Sequence, residues 1–460
     1  MIPSSIQRHL DDHGALWHEI RHLRTESLAQ AAEAAAVPGN RLVRAVVLAD
    51  ARGLVMAILG HDRLLDFSSL CQRLGRDLEP IPAARTYTIF HDCEPNCCPP
   101  FPAAYGLEAV VDRSLLDQPQ LFLEPGSHDT LLAMDPAEFL RLNPGTRAAD
   151  IGVPLDTLQQ SDPERELGRQ IERLTPARVR RTLESFHDLP PLPATAAQIL
   201  ELSRNPNAGA LELARVIEQD APLAARVMRY ANSPLYGFPR QIRDVKSAIA
   251  RVLGFDFVMN LALGIAVGHT LRIPADGPLG LNAFWRHSVY CATLAERLAR
   301  AMPSDLAVRR GTAYLAGLLH NIGILLLGEA FQAEFFLLNR YLLANPHLDL
   351  PQLEQHALGV SHAQVGGWLM TAWGLPGELR AAACHHHDPD FWGDHALYAQ
   401  LVLIANRALA AEGIGIDDRE AIPGFSLEML GLSARRVGAI TAELVAEEAP
   451  ELDDLARQVA

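Results

Sequence analysis

The sequence predicts a multidomain chain, mixed α/β in its first third and all-α after that. Three observations carry this reading. Strand-like, β-branched segments such as LVRAVVLAD at 42–50 stop before about residue 145. From about residue 177 the apolar segments all have helical length and period. Between them, residues 144–176 hold turn formers, few aromatics and no strong period, as an interdomain connection does. The expected divisions are 1–143, a linker at 144–176, a helical body at 177–411 and a helical extension at 412–460.

Taken in order, Ser4 and Ser5 can cap a helix with Ile6, Leu10 and Leu16 among its apolar positions. TESLAQAAEAAA at 25–36 predicts a second helix with Thr25 as N-cap. LVRAVVLAD and LVMAILG at 54–60 predict paired strands across a turn at Asp50–Gly53. YTIF at 87–90, LEAVVD at 107–112 and QLFLEPG at 120–126 read as further strands. Helices are then expected over 194–204, 210–218, 221–231, 243–253, 255–268, 281–302, 311–328, 331–344, 351–358, 361–373, 376–386 and 395–411. Pro222 near a helix start, and Gly374 before Pro376, supply the punctuation.

Composition bounds the function. Of 460 residues, 49% are apolar, enough for a core in each domain, and the net charge is −15. That balance argues against a chain that mainly binds nucleic acid, which needs a basic footprint. Arg165, Arg169, Arg173, Arg178, Arg180 and Arg181 are interleaved with glutamates and read as a solvated helical face. The N-terminus has no apolar run of signal-peptide type. No stretch is expected to reach the roughly 18 apolar residues a membrane span needs, since Leu315–Leu327 is broken by His320, Asn321 and Gly323. Six cysteines are too few for a disulfide scaffold, so a reducing, cytoplasmic setting is expected. Cys93, Cys97 and Cys98 with His91 would suit zinc, but without paired CxxC spacing they read as ordinary thiols in a proline-rich loop.

Five histidine positions stand on or beside apolar helical segments: His287, His320, His362, His386 and His387. Neutral imidazoles gathered from several helices are the raw material of a metal site. Trp285, Trp368 and Trp373 read as core or helix-contact residues. Asn232 and Ser233 close a turn before Pro234.

RTESLAQAAEAAAVPGNRLVRAVVLAD, GLEAVVDRSLL and QLFLEPGSHDTLLAMDPAEFLRL resemble the YbaK/prolyl-tRNA editing family over residues 1–143. The resemblance implies a pocket that hydrolyses misacylated tRNA. It puts the catalytic lysine within LVRAVV, where this chain has Arg44. Arginine stays charged and presents a planar fork rather than a compact ammonium. A domain kept for structure or ligand sensing is therefore expected, rather than a live deacylase.

LPPLPATAAQILEL, the long run from LARVIEQDAPLAARVMRYANSPLYG to IARVLG, GVSHAQVGGWLMTAWGLP and HHHDP are similar to the HDOD domain from about Leu183 to Ala411. That domain is a helical relative of the HD phosphohydrolases, found in bacterial signalling proteins and often joined to another module. The resemblance implies that His287, His320, His362, His386 and His387 occupy the family's metal-ligand positions. It also implies that the aspartate of the His-Asp pair is Asn321 here and that the last aspartate is Asn406. Ala283 stands where some relatives carry a glutamate, and Cys291, one turn after His287 and a candidate neighbour of the pocket, reads first as a small thiol filling core. Two divalent ions would bring four positive charges into a pocket whose amides offset none. The resulting expectation is a degenerate, vestigial site holding at most one divalent transition metal, Zn, Ni or Fe.

The functional expectation is a bacterial signal-transduction protein that acts by binding a small-molecule ligand or protein partners of its pathway, with no membrane contact. Metal-dependent phosphohydrolysis by the histidine cluster is one alternative. Aminoacyl-tRNA deacylation, with tRNA as partner, is the other.

Overall fold

The computed structural model describes residues 2–25, 27–157, 192–205, 207–232, 242–268, 271, 273–306, 308–415 and 420–459. The arginine-rich run at 165–181, most of the expected linker, and Ser233 with Pro234 lie outside the described residues. Two compact units are present: Met1–Gln170 with Arg340–Leu348, and Ile171–Asn339 with Asp349–Ala460.

The first unit is built on one mixed sheet. β2 (Leu42–Asp50) and β3 (Gly53–Gly60) form an antiparallel hairpin in which Asp50 pairs with Gly53. The Asp50 carboxylate accepts from the Arg52 and Gly53 amides at 2.7 and 3.2 Å, which closes the turn. β6 (Glu108–Asp112) runs parallel to β3, and β7 (Leu121–Leu123) parallel to β2. β8 (Thr130–Met134) and β1 (His18–Arg21) extend the β7 side antiparallel, and β9 (Arg147–Ala149) closes the β6 side, giving the order β1-β8-β7-β2-β3-β6-β9, with β5 (Glu79–Pro80) on β2. Strand alternation sends Val43 and Val47 to one face, with Met56, Ile58, Phe101 and Phe139. It sends Leu42 to the other face, with Phe122 and Leu131.

Several expectations for this unit are corrected. β9 (Arg147–Ala149) pairs with β6, and β10 (Gly152–Pro154) pairs with β4 (Arg63–Leu65), so strands continue past the boundary expected at 143. The first helix, Ser4–Asp12, takes Pro3 as N-cap, while Ser5 N donates to Asp92 at 2.8 Å, and Leu16 lies beyond the helix, exposed. The second helix, Leu28–Ala34, is capped by Ser27 accepting from Gln30 N, not by Thr25. YTIF is not a strand. Tyr87–Ile89 end a helix, Ala83–Ile89, that starts after Pro82. A four-residue run of strand-favouring side chains was outweighed by a proline that fixes a helix entry.

The second unit is helical throughout its described elements. The expected 311–328 helix is two, Arg310–Leu319 and Ile322–Ala330, broken at His320 and Asn321. Together they form one stretch, Arg310–Ala330, long and apolar enough by length and composition to cross a membrane, contrary to expectation. Its residues 311–328 are buried in this fold. The 281–301 helix (Leu281–Ala301) packs along Arg310–Leu319, Ala396–Ala411 and Ala434–Val459. The last of these is fastened to it by Arg286–Asp453 at 2.8 Å and by Tyr290 Oη donating to Ala449 O and Asp453. Trp285 and Trp373 are buried, but Trp368, read as a packing residue, is 42% exposed. Asn232 exchanges hydrogen bonds with the Ile242 backbone at 2.8 and 3.0 Å, and the turn expected after it lies outside the described residues.

Candidate functional site

The second unit brings the ends and inner faces of several helices to one place. His287 lies within Leu281–Ala301, and His320 ends Arg310–Leu319. His362 opens His362–Ala372, where Ser361 and Gln364 form a capping box that fixes the helix start. His386 follows the last residue of Gly377–His385, and His387 is next in the chain. Gly323 lets the 322–330 helix run against this start: a Cβ there would stand 2.0 Å from His362 O.

The five rings form a continuous cluster. His287 Nε2 and His320 Nε2 are 3.3 Å apart. His362 Nε2 is 3.2 Å from His386 Nε2 and 3.2 Å from His387 Nε2. The His320 and His386 rings bridge the two groups with centroids 4.9 Å apart. His320, His362 and His386 are fully buried, while His387 is partly open.

Hydrogen bonds behind the rings fix their tautomers. His320 Nδ1 donates to Gly317 O at 2.7 Å, and His386 Nδ1 to Ala382 O at 2.9 Å. His362 Nδ1 donates to the Glu354 carboxylate at 2.8 Å. Each therefore turns an Nε2 lone pair inward. Burial, helped by His287, pushes His320 well below the usual histidine range, and burial, helped by His387, does the same to His386. The His362 and His386 lone pairs then face one another at 3.2 Å, an arrangement that a shared cation or proton relieves. Nitrogens on one tetrahedral zinc stand roughly 3.3 Å apart, and ligating histidines normally donate their far N–H to a carboxylate or carbonyl. The donor set His362, His386 and His387 thus fits one transition ion.

The pocket holds little anionic charge. Asn321 is buried at the start of the 322–330 helix. Asn406 Oδ1 accepts from the Cys291 thiol at 3.2 Å, and Asn406 Nδ2 has no partner among the described residues. Burial drives the Cys291 thiol far above its ordinary range, so it supplies no thiolate. Glu354 is the residue that sequence reasoning missed. It is fully buried, and its carboxylate takes both the ring and the backbone N–H of His362. The only sign in the sequence is an acid eight residues before His362, inside an amphipathic helix.

Arg44 lies in the first unit, on β2, and is 5% exposed. Its guanidinium donates to Ala344 O at 2.8 Å, Arg63 O at 2.9 Å and Asn345 Oδ1 at 2.6 Å. Asn345 Oδ1 also accepts from Leu65 N at 2.8 Å. Residues Ala344 and Asn345 therefore sit on the group that the editing resemblance puts at the catalytic position. All three acceptors are neutral, and burial pushes Arg44 down to about 9, still charged at neutral pH. Beside it, the His61 and His347 rings lie 4.8 Å apart.

The cysteine loop differs from its reading. His91 is exposed, and Cys93 Sγ lies 3.3 Å from Tyr105 Oη. Cys97 instead faces Glu124 and His128. The second unit also has a cleft of about 1280 Å³ lined by Arg204, Arg297, Arg300, Arg309, Arg310 and Arg436. Arg300 pairs with Glu296 and Arg309 with Glu378, and none of the five histidines lines the cleft.

Comparison with known proteins follows the same division. The HDOD domain profile matches residues 189–389, and that of the aminoacyl-tRNA editing domain matches 22–142. A solved structure from Marinobacter aquaeolei VT8, assigned to signal transduction, is 31% identical, with all of both chains covered and a TM-score of 0.82. An HDOD domain protein from Geobacter sulfurreducens, described as of unknown function, is 24% identical over 61% of this chain and 97% of its own, with a TM-score of 0.50. An uncharacterized protein from Treponema pallidum (strain Nichols) is 25% identical over 205 residues. That match takes in 45% of this chain and 39% of the Treponema protein's length.

Proposed function

This chain belongs to the proteins that join an aminoacyl-tRNA editing domain to an HDOD domain, and from that premise we propose that it is a signal-transduction regulator whose HDOD unit acts by binding a ligand or partner rather than by hydrolysis. A regulatory role is the coarse part of this reading and rests on the HDOD domain and the full-length relative. The observation that carries the finer part is the pair of neutral amides at Asn321 and Asn406. Two-metal hydrolysis needs carboxylates that bridge and neutralise the ions. Asn406 spends its oxygen on Cys291, and Glu354 faces the far side of His362. A single ion on His362, His386 and His387, when bound, offers an open coordination position to a ligand. The arginine-lined cleft offers a second surface, suited to an anionic ligand or an acidic protein segment.

The test is turnover. Full-length protein supplied with Mn²⁺, Fe²⁺ or Zn²⁺ is expected to give no phosphodiester hydrolysis, on cyclic dinucleotides or nitrophenyl esters, above a protein-free control. Hydrolysis abolished by His320→Ala would promote the metal-dependent phosphohydrolase. Deacylation by the first unit is disfavoured by the contacts that hold Arg44. Mischarged tRNA is expected to persist in the presence of the protein, and catalytic clearance lost in Arg44→Ala would contradict this.

A further inference from the structure

Two loops of the first unit meet through side chains that the function above does not use. One, residues 93–98, carries Cys97. The other, residues 124–128 between β7 and β8, carries Glu124 and His128. Glu94 N donates to Gly126 O at 2.9 Å, and the Glu94 carboxylate accepts from His128 N at 2.9 Å and from Arg24 at 2.8 Å. Gly126, at φ +116°, permits the close approach: a Cβ there would stand 2.6 Å from Cys93 Sγ. Asn96, just before Cys97, takes a left-handed conformation at φ +67°.

Cys97 Sγ lies 3.6 Å from either ring nitrogen of His128, and His128 Nδ1 lies 3.1 Å from Glu124 Oε1. The three ligand atoms fall within 4.8 Å of one another. Cys97 and Glu124 are buried. His128 Nε2 donates to Pro95 O at 2.8 Å, which leaves Nδ1 for the thiol and carboxylate. An imidazole held by a carbonyl behind and facing a carboxylate in front is the usual second-partner arrangement of a ligating histidine, and Cys97 Sγ, equally far from both ring nitrogens, would move toward Nδ1 to share an ion. Ligand atoms on tetrahedral zinc stand roughly 3.3–3.6 Å apart, close to the spacing here.

We propose that Cys97, Glu124 and His128 bind one zinc ion that clamps the two loops together. The Cys97 thiol and the His128 Nδ1–H each lose a proton to solvent as the S–Zn and N–Zn bonds form. Thiolate and carboxylate then balance the ion's charge, so the assembled site carries no net charge into a buried position. Sulfur and imidazole donors favour zinc over magnesium or calcium. The fourth position is left to water. The competing state is a plain ion pair, in which the Glu124 carboxylate holds His128 up at about 9 and Cys97 stays a thiol.

The experiment is zinc K-edge absorption and elemental analysis on full-length protein, grown with zinc and purified without chelator or nickel resin. The parent is expected to show a sulfur neighbour at about 2.3 Å. His362→Ala, which disrupts the histidine pocket, and Cys98→Ser should both keep it. Cys97→Ser should lose that neighbour and one equivalent of zinc. A parent without zinc, zinc without sulfur in the parent, or a sulfur neighbour that survives Cys97→Ser overturns the proposal. If Cys97→Ser does not fold, the parent, Cys98→Ser and His362→Ala spectra decide it.

Discussion

The histidine pocket of the second unit and the Arg44 site of the first handle buried charge in opposite ways. In the pocket, the acids expected from the resemblance are amides, and inward lone pairs remain with little to neutralise a cation. At Arg44, the flexible ammonium expected from the resemblance is a fixed guanidinium, and Ala344, Arg63 and Asn345 oxygens have closed around it. The first site is partly open at His387. The second has been satisfied by the protein's own backbone and side chains. One site gathers imidazoles with little carboxylate beside them, and the other is filled by the protein's own oxygens.

Breaking the filled site should have the largest effect. Arg44→Ala strips the donors from three buried acceptors and is expected to destabilise the first unit by about 3–5 kcal/mol, read by denaturant unfolding. Arg44→Met keeps most of the volume and removes a buried cation, so it should lose less than half as much. Equal losses would mean that the hydrogen bonds, which both variants remove, rather than packing hold this site.

The open site should respond to a methyl group. Gly323→Ala forces the 322–330 helix away from His362 O, because the new Cβ would fall 2.0 Å from it. The expected cost is about 1–3 kcal/mol, with metal affinity lowered alongside. Unchanged metal affinity in a folded variant would show that the helix start at His362 does not set the pocket.

A pH-dependent effect separates the two sites further. Burial, with the nearby Arg44 charge, lowers His61 to about 4, and burial with Arg44 lowers His347 well below its usual range. Both are neutral in the folded unit at neutral pH. Below the ordinary histidine value the unfolded chain takes up protons that the folded unit refuses. Stability should be full above about pH 6.5 and fall by up to about 1.4 kcal/mol per pH unit per histidine on the way down, for His61 until about pH 4. His61→Gln should flatten that slope, checked by unfolding between pH 7 and pH 4.5.

Legibility in the sequence follows local punctuation. Helices of the second unit can be read to within a residue or two where Pro, Gly or a capping box marks the end, as at Pro376 and Ser361. The hairpin of β2 and β3 was legible from Asp50–Gly53. What was not legible depends on distant partners. Nothing near Arg44 points to Asn345, three hundred residues later, and nothing near Cys97 points to His128. Glu354 has no local mark that separates it from other acids on amphipathic helices; its role comes from the fold, which sets it against His362. YTIF failed for the opposite reason: local propensity was present but too short to outweigh the proline before it.

The number of ions held by the histidine pocket separates a binding site from a dinuclear hydrolytic centre. The direct measurement is a Mn²⁺ and Zn²⁺ binding titration in a Cys97→Ser background, so that the cysteine loop contributes nothing. The chain with Asn321 and Asn406 intact should bind no more than one ion in the histidine pocket, lost in His362→Ala. Adding Asn321→Asp with Asn406→Asp should raise affinity and bring the count to two. Two tightly bound ions with both asparagines in place, or no gain on restoring both acids, would contradict the claim that missing carboxylates define this pocket.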